Sequence, residues 1–176
     1  MPGWVRPDSS KTPARAAQVI RLGGLVILPT DTVYGVAADL WQENAVAALY
    51  AAKNRPPDKT IPILISDFKA ITKVAAEIPD MAQILAKAFW PGPLTIALPK
   101  RTMLPEIVSS LPTIGVRMPD HAAALAVIRA CGGALAVTSA NQSGDPSLLT
   151  AKEAAQALPT VDLVLDGGTV SGGVPS

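Results

Sequence analysis

The sequence predicts an α/β domain, a sheet covered by helices on both faces, and three observations support that class. Short apolar runs of strand length alternate along the chain with longer stretches of helical character. Most of the short runs are continuously apolar instead of alternating with polar residues, as expected of strands buried on both faces. The 17 prolines and 13 glycines are spread among turns and mark no linker, so the 176 residues read as one domain without internal repeats.

Residues 1–12 read as an N-terminal arm and 13–176 as the domain. A first helix is expected over 13–22, with Thr12 at its cap and Pro13 at the first position, where a missing N–H costs nothing. Gly23-Gly24 end it, and residues 25–28 form an apolar strand closed by Pro29. An Ala-rich second helix is expected over 44–53. The loop Lys53-Asn54-Arg55-Pro56-Pro57-Asp58-Lys59 follows, and then a buried strand over 61–65 with Pro62 at its start. A third helix over 79–89 carries Met81, Ile84, Leu85 and Ala88 and stops at Trp90-Pro91-Gly92-Pro93. Strands are expected over 94–98 and 114–118. A helix over 121–130, capped by Asp120, ends at Gly132-Gly133. After a strand over 135–137, Thr150-Ala151-Lys152-Glu153 is a capping box opening a helix that runs to Leu158. Residues 163–165 form the last strand, before a Gly-rich tail.

Composition narrows the function. With 49% apolar and 16% charged residues the chain is globular, and a net charge of +1 does not suit a nucleic-acid coat protein. Any anion site must therefore be a local cluster. The single Cys131 cannot form an internal disulfide, no apolar run approaches the roughly 20 residues that span a bilayer, and the first residues lack a signal-peptide pattern. These features predict a cytoplasmic protein with no membrane association.

The loop from Lys53 to Lys59 sets three cations in seven residues beside two prolines that fix φ. Lys and Arg presented together on a stiff loop suit a polyanion: Arg grips phosphate oxygens in a bidentate fork and Lys supplies a movable point charge. A solvated basic turn is the alternative. Pro29-Thr30-Asp31-Thr32-Val33-Tyr34-Gly35 directly follows a strand, where α/β folds place ligands, although its hydroxyls could equally satisfy a polar turn. Arg117 ends a strand among apolar neighbours and needs a partner, either an internal carboxylate or a ligand's. Ser139 and Asn141 again follow a strand, where they could read a nucleotide or cap a turn. His121 is the sole histidine, so no catalytic dyad or metal cluster has anything to build on, and no metal-ligand set is expected. There is no Walker-type or dinucleotide glycine fingerprint.

Taken in order, Pro29-Thr30-Asp31-Thr32-Val33-Tyr34-Gly35, Lys53-Asn54-Arg55-Pro56, Trp90-Pro91-Gly92-Pro93-Leu94-Thr95 and Ser139-Ala140-Asn141 resemble the YrdC-like threonylcarbamoyl-AMP synthases. Gly115-Val116-Arg117-Met118-Pro119 and Asp166-Gly167-Gly168 fit as well, and the match runs over 16–176. The resemblance implies a twisted mixed sheet flanked by helices, the YrdC-like fold. It implies an enzyme that makes threonylcarbamoyl-AMP from L-threonine, bicarbonate or CO2, and ATP with Mg2+. Pyrophosphate is released, and other proteins transfer the threonylcarbamoyl group to tRNA.

Carried onto this chain, Lys53, Arg55 and Lys59 would face the ATP phosphates, with Lys53 and Arg55 catalytic. Ser139 and Asn141 would contact the nucleotide, while Thr32, Arg117 and Ser176 would hold threonine, with Arg117 on its carboxylate. Family members continue past this serine with a strand and an arginine, a segment that 13–176 lacks. A carbamate attacking a phosphate needs alignment and cations rather than an activated Ser or Cys, and Mg2+ bridging phosphates needs no carboxylate cage. Two alternatives stand beside this reading. One is an RNA-binding module without turnover, for which a net charge of +1 leaves room for only a weak contact. The other is a carbamoyl-adenylate-forming domain of the hydrogenase-maturation type.

Overall fold

The computed structural model describes residues 2–6 and 9–172. Eight strands form one mixed sheet: β1 (Gly3–Val5), β2 (Val26–Pro29), β3 (Tyr34–Ala38), β4 (Ile63–Ile65), β5 (Ile96–Pro99), β6 (Thr113–Arg117), β7 (Ala134–Ser139) and β8 (Leu163–Leu165). Their spatial order is β1-β8-β2-β3-β7-β4-β6-β5. The pairs β1·β8, β8·β2 and β4·β6 are parallel, and the others are antiparallel. Five helices are described, α1 (Thr12–Arg21), α2 (Glu43–Lys53), α3 (Asp80–Phe89), α4 (Ala122–Ala130) and α5 (Ala151–Ala157), with a 3-10 turn at Phe68–Lys73. Among the described residues, no helix is long and apolar enough to cross a membrane.

Both sheet faces are buried, which explains the continuous apolar runs. Because successive side chains of a strand point to opposite faces, Val26 and Leu28 of β2 pack with α1 and α4, while Ile27 faces the other side. On the first face Ala16 and Ile20 of α1 and Ala124, Val127 and Ile128 of α4 cover Ala37, Leu135, Leu163 and Leu165. On the second, α2 contributes Ala45, Val46 and Leu49 and α5 contributes Ala151 and Ala154, over Val36, Ile63, Ala136 and Val164.

Several expectations are adjusted by hydrogen bonding that no local pattern encodes. The arm contains strand β1, held by the parallel partner β8. Thr12 lies inside α1, its hydroxyl donating to the Arg6 carbonyl at 2.6 Å, and Lys11 occupies the cap without a side-chain bond. His121, not Asp120, caps α4: its Nδ1 accepts from the Ala124 amide at 3.5 Å. Burial lowers its pKa, against the raising fields of Asp31 and Asp120. Strand β3 and the 3-10 turn are additional elements. The Thr150–Glu153 capping box forms as expected.

Candidate active site

Helices α1 and α4 leave part of their sheet face open, and that opening is the site. Alternation puts Gly35 of β3, Val137 and Ser139 of β7, Leu64 of β4 and Arg117 of β6 on this face, and together with Thr32, Arg55, Thr60 and Thr95 they line a cavity of about 180 Å3. Gly35 keeps the floor low, since a Cβ there would lie 2.8 Å from Val137 Cγ1.

Arg117 is the buried centre of the hollow, 5% exposed. Its Nε donates to the Gly92 carbonyl at 2.9 Å, so the Trp90–Pro93 turn that ends α3 doubles as its cradle; the Gly92 amide returns a bond to the Met118 carbonyl at 2.9 Å. One terminal nitrogen donates to Thr32 Oγ1 at 3.1 Å and the other to Asp31 Oδ1 at 2.5 Å. Burial pulls the guanidinium pKa down and the Asp31 charge pushes it back up. The partner required by a buried Arg is thus an internal carboxylate. A guanidinium has five N–H groups and these bonds use three, so two have no partner among the described residues.

The Thr30–Tyr34 turn divides its hydroxyls between structure and site. Thr30 Oγ1 donates to the Val33 carbonyl at 2.6 Å and accepts from the Thr32 and Val33 amides at 3.2 Å, closing the turn on itself. Thr32 Oγ1 instead meets Arg117. Gly172 passes so close over this turn that a Cβ on it would lie 2.2 Å from the Thr32 carbonyl oxygen. The Tyr34 hydroxyl donates to the Gly168 carbonyl at 2.7 Å and accepts from the Gly167 amide at 3.0 Å, tying the tail to β3. Burial raises its pKa.

The three cations of the proline-braced loop do not share one environment. Arg55 lines the cavity, its Nε on the Lys59 carbonyl at 3.1 Å and a terminal nitrogen on the Thr60 carbonyl at 2.6 Å, which leaves three N–H groups. Lys59 is exposed and outside the lining. Lys53 is 1% exposed, and its ammonium donates to the carbonyls of Ser139 and Asn141 beneath the end of β7. Burial, with a smaller contribution from the Arg55 charge, lowers its pKa to about 8.

Ser139 reaches the cavity, whereas Asn141 is buried behind it. The Asn141 amide nitrogen donates to the Gln142 and Asp145 carbonyls at 2.9 and 2.6 Å, while Oδ1 has no partner among the described residues. The expected role of Ser176 lies outside the described residues. Thus Thr32, Arg55, Arg117 and Ser139 share one hollow, and Lys53, Lys59 and Asn141 surround it.

Asp31, Thr60 and Thr95 were not among the expected site residues. Asp31 sits inside a quoted motif, but its partner is 86 positions away. The burial of Lys53 did have a sequence signal: Ala45, Val46, Leu49 and Lys53 fall on one helical face, the one α2 buries.

Residues 18–176 match the Sua5/yciO/yrdC family model, which carries the description "telomere recombination". The chain is 44% identical over 163 residues to the threonylcarbamoyl-AMP synthase of Pyrococcus abyssi, and 39% identical over 166 residues to that of Bacillus subtilis. Those alignments cover 92% and 93% of this chain, and 48% of each relative. The chain therefore spans about half the length of these curated relatives. The structure of P. abyssi Sua5 complexed with L-threonine superposes with a TM-score of 0.92 at 41% identity, over 100% of this chain and 52% of that one.

Proposed function

The chain belongs to the Sua5/YciO/YrdC family, and from that premise we propose that it forms threonylcarbamoyl-AMP from L-threonine, bicarbonate or CO2, and ATP. The reading rests on relatives named for that product, on a threonine complex of similar fold and, above all, on one geometric observation. A buried guanidinium with two N–H groups unpartnered among the described residues faces the same hollow as a second arginine on a proline-stiffened loop. Two fixed cations in one partly enclosed cavity suit a substrate pair carrying a carboxylate and a polyphosphate.

In this scheme the threonine amine adds to CO2 and loses a proton, giving a carbamate. A carbamate oxygen attacks the α-phosphorus of ATP, the bond to the β-phosphate oxygen breaks, and pyrophosphate leaves with the electron pair. The product is a mixed carbamic–phosphoric anhydride. Arg117 holds the threonine carboxylate, oriented by Asp31, Thr32 and the Gly92 carbonyl. Arg55 and Lys59 face the phosphates, and Ser139 contacts the nucleotide. Asn141 Oδ1, buried without a partner among the described residues, suits a ligand hydroxyl or amino donor. Lys53 acts at one remove: its ammonium pins the Ser139 and Asn141 carbonyls and so positions the end of β7.

Mg2+ would arrive on the nucleotide's phosphates, keeping several of its waters, and would need no carboxylate cage from the protein. Such an ion would neutralise phosphate charge. Passing the threonylcarbamoyl group on to tRNA then belongs to other proteins.

The test is pyrophosphate release by the purified chain given threonine, bicarbonate and MgATP. Release that requires threonine supports the reading. Release no greater than in a threonine-free control overturns it.

A further inference from the structure

A second hollow, of about 320 Å3, lies at the opposite end of the two central strands. β4 and β7 run antiparallel, and Pro62 and Ser139 at one end line the candidate active site. At the other end Ser66 follows β4 and Gly133 precedes β7, and both line the second hollow, joined by a bond from the Ser66 amide to the Gly133 carbonyl at 3.0 Å. The two linings share no residue: along β7 the second ends at Gly133 and the first begins at Val137, four positions or about 13 Å away at about 3.3 Å per residue.

The second hollow is lined by three cations, Lys69 and Lys73 from the 3-10 turn and Arg129 from the last turn of α4. Asp67 is its one acid. Its carboxylate accepts from the Ser66 hydroxyl at 2.8 Å and the Ala70 amide at 3.1 Å, and the Ser66 bond leads the effects holding its pKa below the usual value. Three cations against one carboxylate leave an excess of two positive charges, in a chain whose net charge is only +1. Among the described residues, none of the three forms an ion pair.

The floor is preorganised. Lys73 Nζ donates to the Gly132 carbonyl at 2.5 Å, which fixes the ammonium and leaves two of its N–H groups uncommitted. Gly132 and Gly133 take φ of +90° and +97°, which favours glycine and leaves the floor without side chains. A Cβ at Gly133 would come within 3.5 Å of Ser66 Oγ and 3.8 Å of Lys73 Nζ. The three side chains are solvent-exposed, so water screens their mutual repulsion, and an anion seated among them on the bare floor would gain from all three.

We propose that this hollow, lined by Lys69, Lys73, Arg129 and the Gly132-Gly133 floor, binds a phosphate dianion, either inorganic phosphate or a phosphate monoester. The excess of two charges matches a dianion, where a carboxylate or one phosphodiester unit supplies a single charge. The site is separate from the cavity of the proposed reaction and does not depend on that reading.

The test is a titration of the 15N-labelled chain with sodium phosphate at constant ionic strength, following the amide signals of Ser66, Lys69, Gly132 and Gly133. Saturable shifts are expected, with affinity about tenfold weaker in the double variant Lys69→Ala/Arg129→Ala at an unchanged melting temperature. Shifts that do not saturate, that are confined to Arg55 and Arg117, or that persist in the double variant overturn the proposal. A parallel titration with AMP separates a monoester from the free ion, and tight binding of either supports the site. Tighter binding of a short RNA lacking terminal phosphates overturns the dianion assignment. Pyrophosphate release by the same variants is expected to be unchanged, so failure here and failure of the proposed reaction are distinguishable.

Discussion

Lys53 allows a quantitative test of how the site is built. Its ammonium is buried against two carbonyls, and desolvation lowers its pKa from 10.5 to about 8. Between those values the unfolded chain binds a proton that the folded chain has released, so stability rises with pH across the window. The gain is fully present above about 10.5 and is lost as pH falls through about 8. At about 1.4 kcal/mol per unit, this one group adds about 3 kcal/mol from the bottom of the window to the top. Other groups titrate in the same range, so the comparison is with Lys53→Met, which keeps the length and removes the titration. Urea unfolding of both proteins from pH 7 to 10.5 measures it. The wild type is expected to gain about 3 kcal/mol on the variant over that range. A difference that stays flat would show that the ammonium is hydrated in the folded state, and the account of Lys53 as a buried strut would fall.

Four further outcomes follow from the same geometry. Arg55→Ala is expected to abolish most threonine-dependent pyrophosphate release while shifting the unfolding midpoint little, because its own bonds are to carbonyls of its loop; an equal loss of cooperative melting would make Arg55 structural. Arg117→Ala removes the proposed carboxylate anchor and is expected to eliminate threonine binding in calorimetry. Asp31→Asn, which keeps an acceptor but not its charge, is expected to cost about 1–2 kcal/mol in denaturant and to leave threonine binding measurable; loss of binding in Asp31→Asn alone would place Asp31 on the substrate. Gly172→Ala forces a Cβ to within 2.2 Å of the Thr32 carbonyl, so the tail must move. Weaker threonine binding at an almost unchanged melting temperature is expected, and unchanged binding would separate the tail from the pocket.

The fold was legible to the extent that its cues were local. Helix ends followed Pro13, Gly23, Trp90-Pro91 and the Thr150–Glu153 box to within a residue or two, because caps and φ restrictions act over a single turn. Continuous apolar runs announced a sheet covered on both faces, and the two packed clusters bear that out. Strand β3 was hidden because Tyr34 and Gly35 read as part of a polar motif, and β1 because an edge strand of three residues is stabilised by its partner β8.

What the chain order alone determined is the type of each element and the inventory of polar groups at strand ends and on the loop after α2: two threonines, two arginines, a serine and an asparagine with no activated nucleophile among them. Only the tertiary structure decided which of those groups meet. Arg117 and Asp31 are 86 positions apart and become partners because β6 and the turn after β2 reach the same open stretch of sheet. Lys53 and Arg55, two residues apart, part company because the last turn of α2 rotates one into the core while the αL residue Asn54 turns the other toward the cavity. The physical reason is the same in both cases. Helix and strand signals are carried by neighbours along the chain, whereas burial and charge pairing are set by elements that the sheet brings together.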